Sequence, residues 1–353
     1  MGFDTTPLKD RSSMHRAIRA YFDGCGYLEA ETPLLVPSPI PESHIDLFRT
    51  RRHHPDGGET DLFLVPSPEV WLKGLLAEGA PSLYQIGRCF RNGEQLDTWH
   101  RLEFTMLEWY AVGATASDNI AVMQELLDVC AAAVRPGASA EVTERIAVIS
   151  MEEAFREFAG FSLESDLRNA GLAQTHPADE RYAESLAEAA EALEARLEER
   201  GFPTGGKGGA ERETADDLFH RLFLTLVEDR LPADRPLVLS DWPALVPTLA
   251  RRVPGTPWAE RWELYIRGVE TANCYGEEND PAALDAYWRS ETERKVLAGA
   301  PAGAESNWPE KIAAGMPPCS GAAVGLDRLL ALIRGDEGLE GLDLFPKNGM
   351  MRR

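Results

Sequence analysis

The chain has 353 residues, 44% hydrophobic and 27% charged, which is typical of a globular protein with a large core. Its 36 basic and 58 acidic residues give a formal net charge of −22. This balance argues against non-specific nucleic-acid binding, which needs an excess of Lys and Arg to displace counterions. The basic run at 49–54 is a candidate for a local basic patch, and the interpretation of the run as a solvated loop is favoured.

Cysteine usage and the N-terminal sequence indicate the compartment. The five cysteines form no CxxC pair and no Cys/His cluster, which disfavours a zinc site and suits a reducing environment. The N-terminus has no basic stretch followed by an apolar core, and no apolar run reaches the length of a membrane span. We therefore expect a cytoplasmic protein that does not contact membranes.

The N-terminal part predicts a helix followed by extended structure. Apolar residues at helical spacing predict an amphipathic helix over 11–24, and the Pro-rich segment 31–41 predicts an edge strand or connector. Pro68 fits a helix start before 69–77, because its missing N–H is not needed there. Strands are predicted at 61–65, 83–91 and 102–111, the last two forming a hairpin with a polar tip at 92–100.

The middle of the chain differs in character. An Ala-, Glu- and Arg-rich segment predicts an exposed helix over 180–200, and the Gly-rich stretch 201–213 predicts a flexible loop that lacks the Ser/Thr of a phosphate-binding P-loop. Thr214 and Asp217 predict a capping box before a helix over 215–229. Strands at 236–240 and 261–271 and a helix at 326–334 complete the pattern. This mixed order favours an α+β fold with a mainly antiparallel sheet.

The segment from Arg88 to Tyr110 contains residues that are suited to a functional site. On a strand, Glu108 and Tyr110 face the same side. A buried carboxylate beside a tyrosine hydroxyl is costly unless a cation compensates, and that cation is either a substrate ammonium or an internal arginine. Both interpretations, a substrate ammonium and an internal arginine, are open from these residues alone.

Two further segments carry isolated polar groups among apolar residues. Glu263, Glu270 and Glu277 form a convergent acidic set that suits Mg²⁺ with its nucleotide phosphates, or an amine-bearing ligand. Arg328 sits in an otherwise apolar helix entered through the small residues 321–325. An arginine there needs an anion or an aromatic face.

In order, these segments resemble motifs 2 and 3 of the class II aminoacyl-tRNA synthetases, and 26–33 resembles motif 1, the dimer-interface element. The lysyl subclass is the nearest match, because Glu103-Phe-Thr-Met-Leu-Glu-Trp-Tyr110 and Asn273-x-Tyr-x-Glu-x-Asn-Asp280 resemble its signatures. The resemblance covers roughly residues 11–335 and implies the α+β class II catalytic fold, mainly antiparallel and flanked by helices.

Lysyl-tRNA synthetases carry an anticodon-binding OB domain before motif 1, which here begins near residue 24. The chain therefore resembles the elongation factor P–(R)-β-lysine ligase family, in which a protein lysine replaces tRNA as acceptor. Ser67-Pro68-Glu69 agrees, as does Ala323, which stands where lysyl-tRNA synthetases usually have glycine. The resemblance implies one catalytic domain over 1–353, without an OB domain or anticodon-dependent tRNA binding, and a homodimer formed through motif 1. A helical insertion is expected at about 150–232, between motifs 2 and 3.

The same resemblance implies ATP and Mg²⁺ as cofactors, lysine or β-lysine as substrate, and elongation factor P as acceptor. Arg91 would clamp the substrate carboxylate and the α-phosphate, while Phe104 and Arg328 sandwich adenine. Glu263 and Glu270 would serve Mg²⁺ and the substrate amine, in roles that are not apportioned. The implied ATP-binding residues are Arg91, Asn92, Gly93, Glu94, His100, Arg101, Phe104, Glu263, Leu264, Gly325 and Arg328. The implied substrate-binding residues are Ser67, Pro68, Glu69, Glu108, Tyr110, Glu270, Asn273, Glu277 and Ala323.

The chain departs from the family within motif 2. Gly93 precedes Glu94 where the family usually has glutamate directly after Arg-Asn, and Arg101 replaces an asparagine. Alternative functions are therefore a ligase acting on a small molecule or carrier protein, a residual lysyl-tRNA ligase, and a regulatory paralogue without catalysis. Retention of Arg91 and Arg328 argues against the last.

Overall fold

The computed structural model describes residues 4–38, 40, 42–93, 96–204, 213–297 and 308–342. Its helices are α1 Thr6–Gly24, α2 Glu69–Ala77, α3 Ala116–Val134, α4 Ala140–Thr143, α5 Met151–Ala154, α6 Leu163–Asn169, α7 Tyr182–Glu198, α8 Ala215–Leu226, α9 Pro281–Leu297, α10 Trp308–Gly315 and α11 Leu326–Arg334. Its strands are β1 Leu28–Glu29, β2 Leu35–Val36, β3 Arg49–His53, β4 Glu59–Leu64, β5 Leu83–Phe90, β6 Glu103–Val112, β7 Ala147–Ser150, β8 Leu237–Pro243, β9 Trp258–Ile266, β10 Val269–Gly276 and β11 Cys319–Gly325.

The central feature is an eight-stranded sheet with the order β1-β5-β6-β11-β10-β9-β8-β7. Its two outer pairs, β1 with β5 and β7 with β8, are parallel, and every other pair is antiparallel. A second sheet of three strands has the order β2-β4-β3. The predicted α+β fold with a mainly antiparallel sheet is confirmed.

Side-chain alternation along the central strands gives the sheet one apolar and one polar face. On β6, Leu107 and Trp109 join the main core, whereas Glu108 and Tyr110 point the other way into a cavity. The same alternation on β9 directs Trp262 into the core. Helices α1, α3 and α11 cover the apolar face, and their packed side chains include Met14, Ile18, Phe22, Met123, Leu127, Leu329 and Leu330.

The N-terminal predictions agree closely with the structure. The α2 helix has the predicted bounds with Pro68 at its N-cap, and the helix predicted over 11–24 lies within α1, which begins earlier. The β5–β6 hairpin is also confirmed. In the third quarter, Thr214 and Asp217 form the predicted capping box of α8.

The prediction of a single strand over 261–271 is wrong. The segment contains a tight turn at Arg267 and Gly268, which separates β9 from β10. Both residues have positive φ, 54° and 75°, as a two-residue turn between twisted antiparallel strands requires. Arginine rarely adopts this conformation, so Arg267 itself carries no local signal for a turn. The small residues that lead into α11 form strand β11, for which the sequence predicted no secondary structure.

The helices between β7 and β8 have a core of their own. Met151, Phe155, Leu193 and Phe219 pack together with residues of β8 and β9 at one end of the central sheet. The α7 helix was predicted to be exposed, but one of its faces is buried in this cluster through Ala189, Leu193 and Leu197. The predicted flexible loop over 201–213 lies largely outside the described residues. No helix among the described residues is both long and apolar enough to cross a bilayer.

Candidate active site

The polar face of the central sheet carries two adjoining cavities. The first, here called the arginine cavity, is lined by Trp99, His100, Arg101, Phe104 and Arg328, among others. The second, here called the acidic cavity, is lined by residues that include Ser67, Glu69, Glu108, Tyr110, Glu263 and Glu277. Five residues line both cavities: Arg91, Met106, Glu270, Asn273 and Ala323. The two cavities therefore form one cleft with two chemically different ends.

Arg328 is held rigidly in the arginine cavity. It lies in the first turn of α11, where its Nε donates to the Trp99 carbonyl at 3.1 Å and its Nη1 donates to the Glu270 carbonyl at 2.7 Å. The neighbouring Asp327 accepts from the Thr105 N–H at 2.6 Å and pairs with Arg11 at 2.5 Å. These contacts fix the helix start against β6 and leave the guanidinium face toward the cavity.

Arg91 stands in the wall between the two cavities. Its guanidinium carbon lies 5.5 Å from the centre of the Phe104 ring, and its buried Nε has no hydrogen-bond acceptor among the described residues. A buried N–H donor without a partner is costly, so this position suits a ligand anion. An anion there would contact both ends of the cleft.

Glu108 is the most buried carboxylate on β6, with 3% of its surface exposed. It accepts hydrogen bonds from Ser67 Oγ at 2.8 Å and from the Tyr110 hydroxyl at 2.7 Å. Burial, followed by the charge of Glu69, raises the pKa of Glu108 to about 8. In the described part of the chain Glu108 forms no ion pair with an arginine or lysine. The interpretation that an internal arginine compensates its charge is therefore not supported.

Two further carboxylates of the acidic cavity, Glu69 and Glu277, contact a buried lysine. Lys73 Nζ lies 2.5 Å from Glu69 Oε1 and 2.6 Å from Glu277 Oε2, and the Lys73 and Glu277 side chains are each 2% exposed. Lys73 was not among the predicted site residues. Its spacing of four residues from Glu69 on a predicted helix was a local signal for the first of these pairs, whereas nothing local pointed to the second.

Glu263 is oriented by its neighbours on β9. It accepts from Arg261 at 2.6 Å and from the Tyr265 hydroxyl at 2.9 Å. Burial, followed by repulsion from Glu270, raises the pKa of Glu263 to about 7. Arg261 stacks on the Trp242 ring at 4.2 Å and also lines the acidic cavity, although it was not predicted.

Glu263 and Glu270 are suitable ligands for a divalent cation. Both line the acidic cavity, and their mutual repulsion would be relieved by positive charge between them. No group of three or more His, Cys, Asp or Glu side chains converges as a metal site within the described ranges. Two carboxylates are nevertheless enough for Mg²⁺, because this ion keeps bound waters and binds phosphate oxygens, and so does not need a full set of protein ligands.

Several predicted residues do not reach the cleft. The Leu264 side chain is fully buried in the main core, and Pro68 caps α2. Asn92 binds Asp46 at 3.2 Å, and Gly93 also lies beside Asp46. Glu94 lies outside the described residues. The remaining predicted residues line one or both cavities: Ser67, Glu69, Arg91, His100, Arg101, Phe104, Glu108, Tyr110, Glu263, Glu270, Asn273, Glu277, Ala323, Gly325 and Arg328.

The fold and the cleft agree with a known family. The sequence profile described as "tRNA synthetases class II (D, K and N)" matches residues 5–349. The chain therefore belongs to the class II tRNA synthetase family, and it is a ligase of that family.

Individual relatives narrow the comparison. The elongation factor P–(R)-β-lysine ligase of Vibrio cholerae serotype O1 is 30% identical over 344 residues, which is 96% of this chain and 94% of that protein. The ligase of the same name from Proteus mirabilis is 30% identical over 93% of this chain and 91% of its own length. A lysine–tRNA ligase of Anaeromyxobacter dehalogenans is 32% identical over 95% of this chain but 64% of its own. The predicted resemblance to the elongation factor P–(R)-β-lysine ligases is confirmed.

The raised carboxyl pKa values predict how the stability of the ligand-free chain depends on pH. Glu108 binds a proton more tightly in the folded state than at its ordinary pKa of 4.5, so the unfolding free energy should fall as pH rises from about 4.5 to about 8. In Glu108→Gln this contribution disappears. Urea unfolding at pH 5, 6.5 and 8 should show wild type losing about 3–4 kcal/mol more than Glu108→Gln across this range. Equal pH dependence in the two proteins would contradict the assignment.

Proposed function

We propose that the chain activates lysine or (R)-β-lysine with ATP as an aminoacyl-adenylate, and transfers the aminoacyl group to a lysine side chain of elongation factor P. The observation that carries the proposal is the two-ended cleft with Arg91 in its shared wall. One end offers Arg91, Arg101, Arg328 and the Phe104 ring to a nucleotide, and the other end offers carboxylates to ammonium groups.

In the first step, a carboxylate oxygen of the amino acid attacks the α-phosphorus of ATP in line, and pyrophosphate leaves. Both the attacking carboxylate and the α-phosphate are anions, so their approach requires positive charge. Arg91 is in position to contact both, with its unpartnered Nε available to the ligand. A guanidinium suits this task because it donates parallel hydrogen bonds to planar oxyanions.

In the second step, the neutral ε-amine of the acceptor lysine attacks the carbonyl carbon of the adenylate. AMP leaves with the electrons of the broken C–O bond, the attacking nitrogen loses one proton to AMP or solvent, and an amide forms. Neither step needs a protein nucleophile, so catalysis consists of positioning and charge neutralisation. Phe104 and Arg328 would hold the adenine ring between them. Mg²⁺, held by Glu263 and Glu270, would neutralise the polyphosphate.

The acidic cavity supports an amino acid with two ammonium groups. Glu108 accepts from two hydroxyls without an ion-pair partner in the described residues, and a ligand ammonium would supply the missing charge. Ala323 pairs in register with Glu108 on β6 and with Asn273 on β10. Its methyl group therefore lies between groups that would read the substrate amines, where it would bear on the choice between lysine and β-lysine.

The acceptor is inferred from the relatives. The chain aligns with nearly the whole length of the elongation factor P–(R)-β-lysine ligases, and this supports a protein acceptor. The 32% identity to a lysine–tRNA ligase makes tRNA the second candidate. We also propose a cytoplasmic homodimer formed through motif 1. The exposed apolar side chains of Leu28, Leu34 and Leu35 support this interface.

The acceptor is tested by supplying purified elongation factor P or bulk tRNA to the enzyme with ATP and radiolabelled lysine or β-lysine. We expect label in elongation factor P and no label in tRNA, whether lysine or β-lysine is supplied. A variant of elongation factor P with arginine in place of its acceptor lysine serves as the control and should stay unlabelled. Labelling of tRNA alone would overturn the proposed acceptor while leaving amino-acid activation intact.

A further inference from the structure

The acidic cavity contains a positive charge that belongs to the chain itself. Lys73 lies on α2, and its Nζ is within 2.6 Å of carboxylate oxygens from both Glu69 and Glu277. Glu277 follows β10, so the lysine joins two elements that are distant in sequence. The lysine side chain is 2% exposed, which excludes solvent as a partner for its ammonium group.

The surroundings keep this lysine protonated. Its two carboxylate partners outweigh burial and raise the pKa of Lys73 above its ordinary value. The titratable groups that face the Lys73–Glu277 pair from neighbouring elements are Glu42, Glu108, Tyr110, Arg251 and Cys319. Burial raises the pKa of Glu277 to about 7, and the charge of Lys73 opposes this rise. Removal of the lysine charge would therefore favour protonation of Glu277.

Lys73 therefore pairs with two carboxylates of the acidic cavity and leaves Glu108 without a cationic partner among the described residues. Glu69 and Glu277 share the lysine, whereas Glu108 has the hydroxyls of Ser67 and Tyr110. Ser67 connects Glu108 with Glu69, since its Oγ donates to Glu108 and also accepts from the Glu69 N–H at 3.0 Å. A shift of the Glu69 backbone would therefore pass through Ser67 to the carboxylate of Glu108.

We propose that Lys73 is a positioning residue for amino-acid recognition, which pairs with Glu69 and Glu277 and holds the two carboxylates in the orientation in which the acidic cavity accepts the ammonium groups of the substrate. This inference rests on the proposed function. Lys73 itself would not contact the reacting atoms, and it would act through the two carboxylates. The arginine cavity, which does not include Lys73, would be unaffected.

The test compares Lys73→Met, which keeps the length but removes the charge, with Lys73→Arg, which keeps the charge. In pyrophosphate exchange, Lys73→Met should raise the KM for the amino acid about 100-fold at pH 7, because protonated acids bind ammonium poorly. The KM for ATP should stay unchanged. The acidic limb of the kcat/KM profile for the amino acid should move to higher pH, and Lys73→Arg should recover part of the loss.

Lys9→Met, which removes an exposed lysine of α1, is the matched control and should behave as wild type. Circular dichroism and the KM for ATP would identify a variant that merely fails to fold. A folded Lys73→Met with an unchanged amino-acid KM and an unchanged pH profile would overturn the role of Lys73. If the wild-type chain activates no amine-bearing amino acid, the proposed function is overturned instead. The wild-type measurement shows this before any variant is compared.

Discussion

Replacement of Arg91 by alanine is expected to lower amino-acid-dependent pyrophosphate exchange by about 1,000-fold. Arg91 is the one arginine that lines both cavities of the cleft among the described residues, and its Nε is buried without an acceptor. Without it, the substrate carboxylate and the α-phosphate would meet as two unscreened anions in a partly buried site. The loss should appear mainly in kcat, because the charge develops as the two groups approach.

Arg91→Lys should recover only a small part of this activity, since an ammonium cannot donate two parallel hydrogen bonds. Arg88→Ala is the matched control. Arg88 lies on β5, three residues before Arg91, but its side chain is 49% exposed and pairs only loosely, at 3.6 Å, with Glu103. This variant should retain full exchange activity. Comparable activity in Arg91→Ala and Arg88→Ala would remove the central step from the proposed mechanism.

Gly321→Ala is expected to block the acidic cavity while leaving the arginine cavity intact. A Cβ atom at this position of β11 would collide with Glu277 Oε1 and with the Tyr110 ring, whose Cδ1 would lie 2.7 Å away. Neither neighbour moves freely, because Glu277 is paired with Lys73 and Tyr110 with Glu108. Displacement of these groups by about an ångström should reduce kcat/KM for the amino acid about 100-fold. Isothermal titration should show that ATP binding is retained.

Gly74→Ala provides the control for a glycine-to-alanine change. Gly74 is on α2, one residue after Lys73, and a Cβ there meets nothing within 4 Å. Exchange activity should be unchanged, and the unfolding free energy should rise by about 0.5–1 kcal/mol because alanine favours the helix. If Gly321→Ala kept normal amino-acid kinetics, the acidic cavity would not be the amino-acid site.

The amino-acid sequence alone determined the local structure of the motifs and part of the site. Strand alternation placed Glu108 and Tyr110 on one face, and the structure joins them by a hydrogen bond of 2.7 Å. The helix start at Pro68 and the capping box at Thr214 followed from local backbone chemistry, which depends on residues only a few positions apart. The family resemblance supplied most of the residues that line the cleft.

Only the tertiary structure decided which side chains meet across the cleft. The turn at Arg267 and Gly268 folds β10 back on β9 and places Asn273 opposite Glu263 in the wall of the acidic cavity. The pairing of Lys73 with Glu277 depends on α2 packing beside the end of β10. Such contacts arise from the assembly of the whole sheet and its helices. Local periodicity carries no information about them, because it describes the direction of a side chain and not the partner that it will find.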